Sequence, residues 1–126
     1  MSASQDIPAQ SFSDMRTYQS VQLWMDTVNS MFHLSEKEWD GRLQVLQQFC
    51  AAEGKDPDMI IAEARGDRAG KIDYMRRLKR FVKTLTTNPT LMHDYENIVR
   101  SFFINNGARV VTKPYTDVYQ RNAVTE

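Results

Sequence analysis

Apolar residues return every three or four positions along most of this 126-residue chain, a spacing that predicts helices. Val21, Trp24, Met25, Val28 and Met31 or Phe32 mark a first helix over residues 17–32. Trp39, Leu43, Leu46 and Cys50, flanked by Phe49, mark a second. It has the clearest ends: Ser35 and Glu38 form the signature of a capping box, and Gly54 supplies a left-handed stop. Asp56-Pro57 opens a third helix that ends before Gly66, with Met59, Ile60, Ile61 and Ala64 as core candidates. After a polar break over residues 67–70, Ile72, Met75, Leu78, Phe81, Val82 and Leu85 mark a fourth over residues 71–85. Asn88-Pro89 repeats the cap-then-proline start for a fifth, which runs to Asn105 and closes at Asn106-Gly107. Its buried side is Leu91, Met92, Tyr95, Ile98, Val99, Phe102 and Phe103. The expected fold class is all-α, a compact bundle of about five helices.

The flanks lack this period. Residues 1–16 read as a flexible arm, residues 17–107 as one domain, and residues 108–126 as linker, with Val110-Val111 a short extended piece at most. A chain of this length, 41% hydrophobic, builds one modest core. No apolar run approaches the roughly 20 residues that span a bilayer. The single cysteine, Cys50, excludes an intrachain disulfide, and a cytoplasmic setting is the simplest expectation.

Charge changes this picture. The net charge is zero, yet residues 1–64 carry four basic and ten acidic side chains, residues 65–83 eight and two, and residues 84–126 four and four. Half of the Lys and Arg residues thus fall within nineteen positions. At physiological salt a Debye length of about 8–10 Å makes such a local block matter more than the average. On a helical wheel Arg76, Arg77, Arg80 and Lys83 gather opposite the apolar stripe of the fourth helix, a ridge suited either to phosphates or to solvent.

Catalytic chemistry finds few candidates. His33 and His93 are far apart, no HExxH or paired CxxC occurs, and no Gly-rich loop precedes a helix. No metal or cofactor is expected. Cys50 lies on an apolar stripe, where free cysteine behaves as a small hydrophobe. Glu36, Glu38 and Asp40 crowd a helix start, where carboxylates favour the macrodipole. Trp24 and Trp39 read as core anchors. The fifth helix offers something different: Thr90, His93, Asn97 and Arg100 on its outer side, residue types that pair with adenine or guanine edges and with phosphates. Ile104, Asp94 and Glu96 on or beside that side favour an ordinary solvated face.

The run Ile98-Val99-Arg100-Ser101-Phe102-Phe103-Ile104-Asn105-Asn106-Gly107, taken with Ser35-Glu36-Lys37-Glu38-Trp39 and the Phe49 to Asp58 segment, resembles the N-terminal, SAM-like core-binding domain of tyrosine recombinases, the phage integrases. The resemblance covers roughly residues 18–107. It implies a DNA-binding domain that grips a recombination half-site in the major groove, without catalytic residues of its own, these belonging to a C-terminal domain. By position it implicates Lys37, Gln44 and Gln48 on the second helix and Thr90, His93, Asn97 and Arg100 on the fifth. Arg76, Arg77, Arg80 and Lys83 enter through charge clustering alone, on a helix longer than the family's shortest form carries. The partners implied are duplex DNA, the C-terminal catalytic domain, and other protomers meeting on a shared site, in a nucleoid-associated setting. The rival expectation is a helical protein–protein module docking through its Met- and aromatic-rich stripes.

Overall fold

The computed structural model describes residues 12–66 and 68–108, with side chains described for residues 14–66 and 73–108. Their order is α1 (Phe12–Met15), α2 (Gln19–Met31), α3 (Glu36–Glu53), α4 (Pro57–Gly66), α5 (Arg68–Leu85) and α6 (Pro89–Asn105). The fold is all-α: one single-turn helix and five longer ones, with no strand among the described residues. Of the expected linker, Ala108 is described and buried, whereas residues 109–126, Val110-Val111 among them, lie outside the described residues.

Local signals set the helix ends as expected. The Ser35 side chain accepts from the Glu38 N–H at 3.1 Å, and the Glu38 carboxylate accepts from the Ser35 N–H at 2.9 Å. Asp56 accepts from the Met59 N–H at 2.8 Å, and Asn88 from those of Thr90 and Leu91. Each bond satisfies an amide that the first helical turn leaves without a partner. Gly54 and Gly107, at φ +70° and +75°, take the left-handed conformation that a Cβ disfavours. There the Lys55 and Ala108 amides reach back to the carbonyls of Cys50 and Phe103.

Three expectations are corrected. Residues 1–16 are not arm throughout: Phe12–Met15 form a turn of helix, and Met15 is fully buried. Arg16 then pairs with Glu36 at 2.8 Å and Asp40 at 3.5 Å, tying this turn to α3. The break expected over residues 67–70 contracts, since α5 already begins at Arg68. The apolar stripes also overshoot. Met31 and Phe32 are 63% and 61% exposed because α2 ends there in extended backbone, and Met59 and Leu91 also face outward. Tyr74, outside the expected stripe, is instead buried.

α6 is the axle of the bundle, packing against α2, α3 and α5, while α4 rests on α2 and α5. Trp24 sits edge-on to Trp39 at 5.1 Å and to Phe102 at 5.5 Å; Phe49 meets Phe81 at 5.4 Å, and Tyr74 meets Phe103 at 5.6 Å. Such pairs contribute about 0.5–1.5 kcal/mol each beyond area burial. Both indole N–H groups find acceptors at 3.0 Å, Trp24 on Ser101 and Trp39 on Asn29. The large rings are thereby buried without stranding a donor.

Candidate nucleic-acid interface

The amphipathic α5 turns Met75, Leu78, Phe81 and Val82 inward, which places Arg76, Arg80 and Lys83 outward at i, i+4 and i+7. All three are exposed, and none makes an ion pair with an acid among the described residues. Their mutual repulsion is left for solvent or a ligand to relieve.

Arg77 belongs elsewhere. It pairs with Glu53 of α3 at 2.9 Å and with Asp73 one turn back, and its guanidinium lies 4.3 Å from the centre of the Tyr74 ring. The Tyr74 hydroxyl donates to Glu63, which also takes Lys55 at 2.8 Å. These contacts hold Glu63 below the ordinary carboxylate range, Lys55 being the larger cause, while burial pushes the Tyr74 phenol up. Arg77 thus fixes α5 against α3 and is lost to the outward ridge. Beside it a groove of about 260 Å³, lined by Ala52, Glu53, Phe81 and Thr84, opens towards Arg80.

The seam between α5 and α6 adds a cation that charge clustering did not single out. Lys79 lies 3.2 Å from Glu96, whose carboxylate also takes Arg100 at 3.7 Å. One largely buried carboxylate therefore holds a cation from each helix. The Arg100 Nε is buried without a hydrogen-bond partner among the described residues. The remaining outward residues of α6, Thr90, His93 and Asn97, are exposed, as is Ile104. Lys37, Gln44 and Gln48 are exposed on α3. Phe49 of α3 sits edge-on to Phe103 of α6 at 6.4 Å, so the two helices meet through their inner sides. Their outer faces turn away from that shared interior, and no hydrogen bond among the described residues links the two sets. Arg76, Lys79, Arg80, Lys83 and Arg100 lie on α5 and α6, and no ion pair among the described residues joins them to Lys37, Gln44 or Gln48 of α3.

The signature run that carries the resemblance does mostly internal work. Ser101 accepts the Trp24 indole, Phe102 and Phe103 fill the core, and Asn106 donates to the carbonyls of Ser20 at 3.0 Å and Phe102 at 2.9 Å. Cys50 is buried, and burial raises its thiol pKa, with Asp56 and Glu53 adding to the effect. A thiol held protonated is a poor nucleophile. Among the described residues no group of three His, Cys, Asp or Glu side chains could hold a metal, and no helix is long and apolar enough to cross a membrane.

Comparison of the chain with protein-family models, with curated proteins and with solved structures returned no match.

Proposed function

We propose that the chain is the core-binding domain of a site-specific tyrosine recombinase and holds duplex DNA through α5 and α6. The observation that supports this reading most is the exposed row Arg76, Arg80 and Lys83, which no described acid neutralises. A row of cations on one helical face is suited to contact phosphates, and Lys79 and Arg100 at the neighbouring seam extend it. Thr90, His93 and Asn97 then read base edges, Asn97 being suited to adenine. Lys37, Gln44 and Gln48 form a second contact surface on α3. In this reading the domain positions a recombination site, bond cleavage and rejoining lie with a separate catalytic domain, and protomers associate on DNA within the nucleoid.

Fluorescence anisotropy with labelled duplexes across a salt series tests it. Log affinity falls with log salt at about 0.9 per neutralised phosphate. Alanine at Asn97 costs about 1–3 kcal/mol on the cognate site only, which a library selection identifies first. No binding to any duplex at low salt overturns the reading.

The competing reading, a protein-docking module, draws on Met31 and Phe32 at the end of α2 and Leu91 at the start of α6, all exposed. Association with a protein that ignores salt, and no DNA binding, would favour it.

A further inference from the structure

The crossing of α2 over α4, closed at one end by the last residue before Gly107, leaves a groove of about 260 Å³ with an unusual lining. Asp58 and Arg65 project from α4 two turns apart, and Gln19, Ser20 and Asn106 complete the polar part, with Leu23 and Ile61 as apolar wall. Asp58, Ser20, Asn106 and Arg65 are joined in one hydrogen-bonded circuit. The Ser20 N–H donates to Asp58 at 2.9 Å, the Asn106 side chain donates to the Ser20 carbonyl at 3.0 Å, and the Arg65 Nε donates to the Asn106 carbonyl at 2.9 Å.

Two features of this circuit are left over. The Ser20 hydroxyl, on a residue only 7% exposed, has no hydrogen-bond partner among the described residues. A buried hydroxyl without a hydrogen bond costs free energy, and serine gains nothing over alanine at such a position unless something else engages it. Asp58 and Arg65 line one groove yet form no ion pair with each other or with any other described residue, although each anchors one end of the circuit. The carboxylate repels a simple anion and the guanidinium a simple cation. A molecule carrying both charges satisfies both.

We propose that this groove is a binding site for a small zwitterion of the α-amino-acid type, its ammonium on Asp58, its carboxylate on the Nη groups of Arg65, which bond to no described residue, and one of these polar groups also bonded to the Ser20 hydroxyl. The size agrees. Seven residues of helix separate the two charged positions by about 10 Å along the axis. Two hydrogen bonds of about 2.9 Å and the short distance between an amino acid's nitrogen and its carboxylate bridge that interval. Leu23, 47% exposed, and Ile61 offer an aliphatic side chain a surface to cover. None of these residues belongs to the α5–α6 face, so the site stands or falls apart from DNA binding.

Two-dimensional amide NMR of the full chain titrated with L-valine tests the site, with N-acetyl-L-valine and L-valinamide each removing one charge. The expected result is saturable shifts at Ser20, Asp58, Arg65 and Asn106 with a Kd of about 1 mM, the scale of a roughly 4 kcal/mol interaction, and at least tenfold weaker binding of both blocked forms. Ser20→Ala keeps the fold, since it removes an oxygen that bonds to nothing, and should weaken L-valine about fivefold to tenfold. Asp58→Asn, which retains an acceptor for the Ser20 amide, should abolish the preference for a free amino group. No saturable shift with L-valine through the millimolar range overturns the proposal, as does equal binding of the blocked forms or unchanged affinity in Ser20→Ala.

Discussion

The seam between α2 and α6 and the outer face of α5 are both polar at points, and they use polarity in opposite ways. In the seam the polar groups of Trp24, Ser101, Asn105 and Asn106 are matched. Trp24 donates to Ser101, the Asn105 side chain donates to the Ser101 carbonyl, and Asn106 bridges to Ser20 and Phe102. On α5, Arg76, Arg80 and Lys83 are held by nothing in the described chain. A matched polar group inside a core specifies how two helices pack, because leaving either partner alone is costly. An unmatched cation on a surface specifies nothing about the fold and is free to meet a ligand. The residues from Ile98 to Asn106 belong largely to the first kind, so that run serves packing before it can serve DNA. The case for DNA rests on the second kind.

Removing the centre of the seam gives the largest expected effect. Trp24 contacts Trp39 and Phe102 at full burial and donates its indole N–H to Ser101. Trp24→Ala should therefore destabilise by about 3–5 kcal/mol, read as a lower midpoint in urea. Wherever the variant remains folded, the salt dependence of DNA binding should match the parent. A changed slope in a folded Trp24→Ala protein would mean that the seam and the α5 face are not separate.

Within α5 the two kinds of polar group stand side by side. Arg77 sits among the ridge residues in sequence but belongs with the matched groups, held by Glu53, Asp73 and the face of Tyr74. Arg77→Ala should cost about 1–2 kcal/mol of stability, through a partly buried ion pair and a cation–π contact, and leave the salt slope unchanged. The combined Arg76→Ala, Arg80→Ala, Lys83→Ala protein should do the reverse. Its stability should stay within about 0.5 kcal/mol of the parent, while the slope of log affinity against log salt falls by about three. If the triple variant unfolds more readily than Arg77→Ala, the division of labour along α5 is reversed.

These contrasts show what the sequence could and could not convey. Helix ends were legible because their chemistry is local: Ser35 with Glu38, Asp56 with Pro57, Asn88 with Pro89, and the glycines at 54 and 107 each act within a few residues. The inward direction of Trp24, Trp39, Phe102 and Phe103 followed from period alone. Arg77 could not be separated from Arg76 and Arg80 on a wheel, since the carboxylate that claims it, Glu53, is 24 residues away. Lys79 was likewise invisible until α6 brought Glu96 beside it, 17 residues on. Met59 and Leu91 carry the period of buried residues but face outward, because the period cannot say where a neighbouring helix stops covering the stripe. The groove at Ser20 depends on residues from α2, α4 and the end of α6, and no spacing along the chain announces it.

The smallest effect concerns the capping box, where a matched group lies at the surface. Glu38 is held below the ordinary carboxyl value of 4.5, chiefly by the Ser35 backbone N–H and next by the Ser35 side chain. A carboxyl whose folded pKa lies below its unfolded one contributes stability that is complete above the unfolded value and disappears as pH falls through the folded value. The contribution of Glu38 should therefore be present at neutral pH and be lost in acid below about pH 4. Glu38→Gln keeps an oxygen for the Ser35 amide, as capping boxes with glutamine do, but has no proton to gain. The gap between the urea midpoints of parent and Glu38→Gln should accordingly be small at pH 7 and shrink towards zero in acid. A gap that stays constant through the acid range would show that the charge on Glu38 contributes nothing, leaving the hydrogen bond alone to start α3.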